Sequence, residues 1–224
     1  MSKTAPLAVL FDLDGTLVDT APDLARATNA LRTHYGLAPL PYEQIRRQVS
    51  NGGSALVTLA LALEHGTPEH DTARQFLLNS YAEAVAVDSR IFDPLDQWLM
   101  DWHGSQRPWG IVTNKPRIYT EPLLEALALA PGALLCADDL SVKKPHPEPL
   151  WEAARRLGVA PSECWYVGDH VRDMQAAKAA GMTAVAVGYG YISEEDDYQQ
   201  WPADLWFETC STLVEALRAF NLAK

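Results

Sequence analysis

Cysteine is scarce in this chain: Cys136, Cys164 and Cys210 are the only three among 224 residues. An odd number at wide spacing excludes a disulfide framework and a zinc-type ligand pattern, and points to a reducing compartment. Long apolar runs are missing as well. The run Leu7–Phe11 is too short for a signal-peptide core, and no later segment approaches a membrane span. Positive charge is in deficit, with 18 lysines and arginines against 29 acids and a formal net charge of −11. Such a field disfavours nucleic acid or an anionic membrane as a partner. An anionic substrate would need local positive charge, a metal ion included, to overcome it. The expectation is a cytoplasmic protein, monomeric or weakly dimeric.

What is present is a series of short apolar runs, each followed by a stretch of helical period. Leu7–Phe11, Trp109–Thr113, Ala133–Cys136, Cys164–Gly168 and Thr183–Val187 read as buried strands, with Asp204–Phe207 as a short edge strand. Continuous apolarity rather than alternation indicates a parallel sheet covered on both faces. Arg117–Leu127, Pro147–Leu157, Val171–Ala180 and Thr212–Phe220 carry the intervening helical patterns. This βαβα order predicts an α/β fold, a Rossmann-like doubly wound parallel sheet. From Thr20 to Ile91 the alternation stops. Helical periodicity alone runs through Asp23–Tyr35, Tyr42–Val49, Ser54–Leu63 and Glu69–Val87, so a second, α-helical lobe is inserted after the first strand. Hinges are expected near Val18–Thr20 and Arg90–Asp93. The core comprises residues 1–19 and 92–224 and the lobe residues 20–91. The seven tryptophans, scattered over many elements, read as packing. The acidic loop Ser193–Gln200 reads as a solvated surface segment.

In open α/β sheets, ligands sit beyond the carboxyl ends of the strands. Asp12 and Asp14 follow the first strand, and Thr113, Asn114 and Lys115 the second. Lys143 and Lys144 precede the helix at Pro147, and Asp169 and Asp173 follow the strand that ends at Gly168. Acids, a hydroxyl, an amide and lysines thus converge on one edge, which is the pattern of a reaction centre.

Taken together, "DLDGT" (Asp12–Thr16), "VTN" (Val112–Asn114), "KKPHPEP" (Lys143–Pro149) and "GDHVRD" (Gly168–Asp173) resemble, in order and spacing, the four motifs of the haloacid dehalogenase-like phosphatases. The resemblance spans nearly the whole chain and is nearest to the phosphoglycolate phosphatase-like branch, in which a helical cap lies between the first two motifs. It implies a Rossmann-like core with an inserted α-helical cap domain, and Mg²⁺-dependent hydrolysis of a small phosphorylated metabolite. By this resemblance Asp12 is the nucleophile that forms an aspartyl-phosphate, and Asp14 is the general acid and base. Asp12, Asp169 and Asp14, the last through its backbone carbonyl, are the implied ligands of Mg²⁺, whose preference is for hard oxygens. Asp173 supports the metal's water shell or orients the lysine. Thr113, Asn114 and Lys144 hold the phosphoryl group, with Lys143 the rival for the lysine's role. Gly15 allows a tight turn and brings amides towards the phosphate.

Other residues keep a plain reading beside the functional one. Asp19 precedes a helical pattern and reads as a capping or hinge residue. Thr113 taken alone reads as a strand-end β-former, but the Asn-Lys-Pro that follows it favours the site. His170 either enters the pocket or faces outward, and His146, between two prolines, is a turn residue. Arg46, Arg47, Asn51, Gly52 and Gly53 resemble the branch's substrate-facing cap loop and, with Lys115, are candidate substrate contacts; the alternative is an interhelical turn with solvated arginines. Ala86–Asp93 and Tyr189–Asp204 are similar to segments of N-acetylmuramic acid 6-phosphate phosphatases of peptidoglycan recycling. The substrate implied is therefore N-acetylmuramic acid 6-phosphate or 2-phosphoglycolate. A phosphosugar mutase, returning the phosphoryl group to a second hydroxyl, is the alternative activity.

Overall fold

Alternation along one four-residue strand organises the molecule. In the computed structural model, which describes residues 5–104 and 107–221, Ala8–Phe11 (β1) is fully buried and hydrogen-bonded on both sides. Successive side chains of a strand point to opposite faces. Ala8 and Leu10 accordingly join a core layer with Leu150, Ala153, Met174 and Ala177, while Val9 and Phe11 join a second layer with Trp98, Leu123 and Leu213. Both faces are covered, which is why the strands read as unbroken apolar runs.

Trp109–Val112 (β4) lies parallel to β1 on one side and Cys164–Gly168 (β6) on the other. Ala133–Leu135 (β5) extends the sheet beyond β4. Thr183–Val187 (β7) and the edge strand Leu205–Phe207 (β8) extend it beyond β6. The order β5-β4-β1-β6-β7-β8 is parallel throughout and reverses direction at β1, the switch point where α/β sheets open a crevice. Each of the six expected strands is present, with ends shifted by at most one residue. Helices Glu148–Leu157 (α7) and Val171–Ala180 (α8) cover one face. Arg117–Ala126 (α6), Cys210–Asn221 (α9) and Leu95–Gly104 (α5) supply the other layer. Helix α5 is absent from the sequence reading, although Leu95, Trp98, Leu99 and Trp102 mark a buried stripe of helical period. Trp151 and Trp206 depart from the packing role expected of the tryptophans, being 43% exposed.

The inserted lobe consists of Ala21–His34 (α1), Tyr42–Arg46 (α2), Gly52–Leu61 (α3) and Pro68–Ala82 (α4), with a single 3₁₀ turn at Val49–Asn51. Helix α1 packs on α2, α3 and α4. The chain enters and leaves through a two-stranded antiparallel ribbon, Val18–Asp19 (β2) and Arg90–Ile91 (β3), in which Val18 pairs with Ile91 and Asp19 with Arg90. The ribbon lies where hinges were expected; two residues per strand are too few to leave a periodic signal. The exit is pinned by the buried Asp23 carboxylate, which accepts hydrogen bonds from the amides of Asp88 and Ser89 and from the Ser89 hydroxyl. The three cysteines are free and buried. Burial pushes Cys136 and Cys210 up to about 11 and Cys164 to about 12, so all three remain protonated and unreactive near neutral pH. Among the described residues, no helix is long and apolar enough to cross a membrane.

Candidate active site

Beyond Phe11 the chain continues the strand for one residue, the Asp12 amide donating to the Val167 carbonyl at 2.9 Å. Leu13 is fully buried. Asp12 and Asp14, two positions apart, both line a cavity of about 470 Å³ between the sheet edge and the helical lobe. The turn then closes through the Gly15 amide, which donates to the Val18 carbonyl. That amide is therefore used inside the turn and is not aimed at a phosphate. Glycine is required at position 15 for other reasons: φ is +81°, and a Cβ there would lie 2.2 Å from Asp169 Oδ2. Gly190 also packs against this side chain, its hypothetical Cβ lying 2.2 Å from the Cβ of Asp169. Gly15→Ala is therefore expected to cost about 1–2 kcal/mol in backbone strain alone and to displace Asp169. Urea denaturation is expected to show at least that loss of stability.

Asp169, at the end of β6, is held on all sides. Its carboxylate accepts from Thr16 Oγ1 (3.0 Å), the Tyr191 amide (2.9 Å) and Ser50 Oγ of the helical lobe (3.0 Å). One oxygen each of Asp12, Asp169 and Asp173 lies within 4.8 Å of the others. Burial pushes Asp169 up to about 7, with the charges of Asp12 and Asp173 adding to it. Asp12 is pushed up to about 6 by burial, against the pull of Lys144. Three clustered hard-oxygen donors, two of them buried, with too little positive charge among them fit a divalent cation, which would offset their repulsion. The side-chain cluster contains Asp173; the Asp14 carboxylate instead pairs with Lys115.

Lys144 rather than Lys143 is the buried lysine. Its Nζ stands 2.9 Å from Asp12, 2.8 Å from Asp173 and 2.7 Å from the Tyr166 hydroxyl, which itself donates to the Val112 carbonyl. Burial alone would depress the ammonium, but the charges of Asp12 and Asp173 hold it above its usual range. Asp173 thus orients the lysine, and its second oxygen accepts from the His170 amide. Lys143 is exposed at the mouth. Thr113 is buried and lines the cavity. Asn114 is committed elsewhere: its side-chain amide donates to the Lys144 carbonyl and accepts from the Lys144 amide. It positions Lys144 rather than presenting a free amide to phosphate. Lys115 Nζ lies 2.9 Å from Asp14 and 4.5 Å from the centroid of the Tyr81 ring of α4. Thr20 Oγ1 also donates to Asp14, at 2.5 Å.

The lobe covers the cavity with Val49–Ser54, Leu56, Arg74, Leu78 and Tyr81. Asn51, Gly52 and Gly53 are therefore placed where a substrate contact requires. Arg46 and Arg47 are not. Arg46 donates to the Tyr189 carbonyl and lies 5.0 Å from the centroid of the Tyr191 ring, while Arg47 pairs with Glu194. Both tie the lobe to the loop after β7, which leaves neither facing the cavity. Asp19, in the ribbon, accepts from the Tyr191 hydroxyl at 2.6 Å; that hydroxyl also receives the amides of Thr20 and Ala21 at the start of α1. His170 caps α8 by accepting the Arg172 amide on Nδ1, and its Nε2 faces Asn51 of the lobe at 3.4 Å. Burial, with Arg172 beside it, pushes this imidazole down to about 4, so it is neutral at pH 7. Ser50, Arg74, Tyr81, Tyr166, Gly190 and Tyr191 were missed from sequence. Of these, only Arg74 and Tyr81 left a signal, as one stripe of α4 with Leu78 between them.

The negative field of the molecule is reversed locally. Arg74, Lys115, Lys143, Lys144 and Arg172 line the cavity against Asp12 and Asp14 among the described residues. A crevice at the switch point of a parallel sheet, floored by acids and rimmed by cations, suits hydrolysis of an anionic ester and defines a class. The chain belongs to the haloacid dehalogenase-like hydrolases, whose family profile matches residues 6–181.

Within that family it is 40% identical over 219 residues to N-acetylmuramic acid 6-phosphate phosphatase of Pseudomonas aeruginosa, covering 97% of each chain. It is equally 40% identical, over 217 residues, to a phosphoglycolate phosphatase of Xylella fastidiosa, covering 94% of this chain and 89% of the other. Among solved structures, a predicted phosphoglycolate phosphatase from Haemophilus somnus superposes with a TM-score of 0.81 at 26% identity, covering 96% of this chain and 99% of that one. The chain is an enzyme, a hydrolase of phosphoric monoesters.

Proposed function

We propose that this enzyme is a Mg²⁺-dependent phosphatase that passes the phosphoryl group of a small acidic phosphomonoester first to Asp12 and then to water. The observation that carries the reading is Asp12 itself, a carboxylate at the cavity floor, 2.9 Å from Lys144 and clustered with Asp169 and Asp173. Asp12, Asp169, Asp173 and the backbone carbonyl of Asp14 are the groups available to hold Mg²⁺ or its water shell. When bound, the ion neutralises charge on the acids and on the phosphoryl oxygens.

One Asp12 oxygen attacks phosphorus, forming the acyl phosphate as the bond to the leaving oxygen breaks in line with it. Asp14 gives its proton to the departing alkoxide, and then takes one from the water that attacks phosphorus and releases Asp12. Lys115 must leave Asp14 for this proton to be carried, and an anionic substrate offers the ammonium another partner. Lys144 and Thr113 hold the phosphoryl oxygens, and Asn114 and Asp173 keep Lys144 in place. Residues 20–91 act as the cap, closing through Ser50, Asn51 and Arg172 to exclude water.

N-acetylmuramic acid 6-phosphate is the favoured substrate over 2-phosphoglycolate. Support comes from the cap-exit and post-β7 segments and from a relative of that name across 97% of the chain. The experiment is phosphate release from both esters, with and without EDTA. Activity is expected to vanish in EDTA, return with Mg²⁺, and give the higher kcat/KM with the muramic acid ester. Undiminished turnover in chelator would overturn the metal's role. Isomerisation of a sugar 1-phosphate without phosphate release would indicate a mutase instead.

A further inference from the structure

The cavity is longer than the chemistry at its floor requires. Its catalytic end is marked by Tyr81, whose ring lies under the Lys115 ammonium that pairs with Asp14. Its other end is marked by Arg74, seven residues earlier on the same helix. At 1.5 Å per residue the two positions stand about 10 Å apart along α4, and Leu78, Leu24 and Leu56 wall the space with apolar groups. Arg74 is half-buried, lines the cavity, and has no hydrogen-bond or ion-pair partner among the described residues. Beside it begins α3, with no side-chain cap. Gly53 in its first turn lies against Leu78 and Arg74: a Cβ at this position would stand 3.4 Å from Leu78 and 3.9 Å from Arg74 Nε. A free guanidinium next to an uncapped helix N-terminus is a setting for an anion. The second sign of a missing ligand is Tyr81. Its hydroxyl belongs to a side chain only 1% exposed that lines the cavity, and makes no hydrogen bond of normal length among the described residues, the Lys115 ammonium beside its ring interacting with it only weakly. A buried hydroxyl in this state is destabilising until something completes it.

We infer that Arg74 is the specificity-determining residue for a carboxylate carried by the substrate on the side remote from its phosphate, with the Tyr81 hydroxyl bonding a polar group of the spacer between them. The inference rests on the phosphatase reading and narrows it to a substrate class. A six-membered sugar ring with a phosphate on one edge and a carboxylate on the other has the required span. In 2-phosphoglycolate the carboxyl carbon is two bonds beyond the ester oxygen, too near the phosphorus to reach Arg74.

The test is kcat/KM for three esters, N-acetylmuramic acid 6-phosphate, N-acetylglucosamine 6-phosphate and 2-phosphoglycolate, in the wild type, Arg74→Gln and Arg74→Lys. The second ester is the first without its carboxylate-bearing arm. The wild type is expected to prefer the first over the second by about 10- to 100-fold, the worth of a hydrogen bond to a charged group. Arg74→Gln should shrink that ratio to near unity, chiefly through KM, and Arg74→Lys should restore part of it. An equal loss on both sugar esters in Arg74→Gln would make Arg74 merely structural and overturn the inference. A wild type that hydrolyses 2-phosphoglycolate well and neither sugar ester would overturn it too, while leaving the phosphatase reading intact. Hydrolysis of none of the three would overturn both.

Discussion

Asp12→Asn is expected to lower kcat by about 10⁴-fold or more, the scale on which removal of a nucleophile is felt, with a melting temperature no lower than that of the wild type. Asparagine fills the same volume, so the turn from β1 into Leu13 has no reason to change. What disappears is the anionic oxygen that attacks phosphorus, and a 10⁴-fold loss corresponds to about 5.5 kcal/mol of transition-state stabilisation. Stability should hold because the substitution removes one of three clustered carboxylates whose mutual repulsion and burial raise Asp12 and Asp169. Lys144 keeps Asp173 at 2.8 Å. Steady-state kinetics and a thermal melt on the same preparation check both halves. A turnover within tenfold of wild type would remove Asp12 from the nucleophile's role.

Lys144→Met should produce the second largest effect, and here stability falls along with activity. Lys144 is 2% exposed, and its ammonium contacts Asp12, Asp173 and Tyr166. Methionine matches its length but leaves the buried Asp173 and the partly buried Asp12 without their cation, a defect that costs about 3–5 kcal/mol where one partner of a buried pair is removed. The phosphoryl oxygens lose their fixed positive charge at the same time, which lowers kcat by about 10²- to 10³-fold in comparable sites. Arginine should not rescue the variant, because a planar guanidinium cannot occupy an ammonium-sized space between these three partners. Urea denaturation in the absence of metal and kcat measured in saturating Mg²⁺ separate the two effects. A variant as stable as the wild type would show that Lys144 does not hold the acids together.

The core of this fold was legible because buried parallel strands write themselves as unbroken apolar runs, and each run ends in the residue types that a reaction centre needs. The same logic places Asp12, Asp14, Thr113 and Asp169 at strand ends, whereas the choice of Lys144 over Lys143 rests on the motif resemblance and not on the strand pattern. Two kinds of information were illegible. The first concerns direction: Arg46 and Arg47 lie next to the correct loop, but nothing in a sequence reports that their guanidinium groups turn to Tyr189 and Glu194. Asn114 likewise carries the expected motif, yet spends its amide on the Lys144 backbone. The second concerns contacts across long separations. Ser50 bonds Asp169 from 119 residues away, and Tyr191 reaches the start of α1 from 171 residues away. Such pairings arise only when the lobe folds back onto the sheet. Gly190 follows the same rule, being indispensable for what Asp169 needs rather than for a turn of its own.

The central claim is a phosphoryl group carried on Asp12, and trapping it is the most direct test. Enzyme turning over acetyl phosphate, whose good leaving group needs no proton from Asp14, is quenched, reduced with borohydride and sequenced by mass spectrometry, with Asp14→Asn run alongside to slow release to water. Borohydride converts an acyl phosphate to the alcohol, so the account predicts homoserine at position 12 in both preparations and more of it in Asp14→Asn. Aspartate intact at position 12 in both preparations, with phosphate released at the normal rate by the wild type, would contradict it.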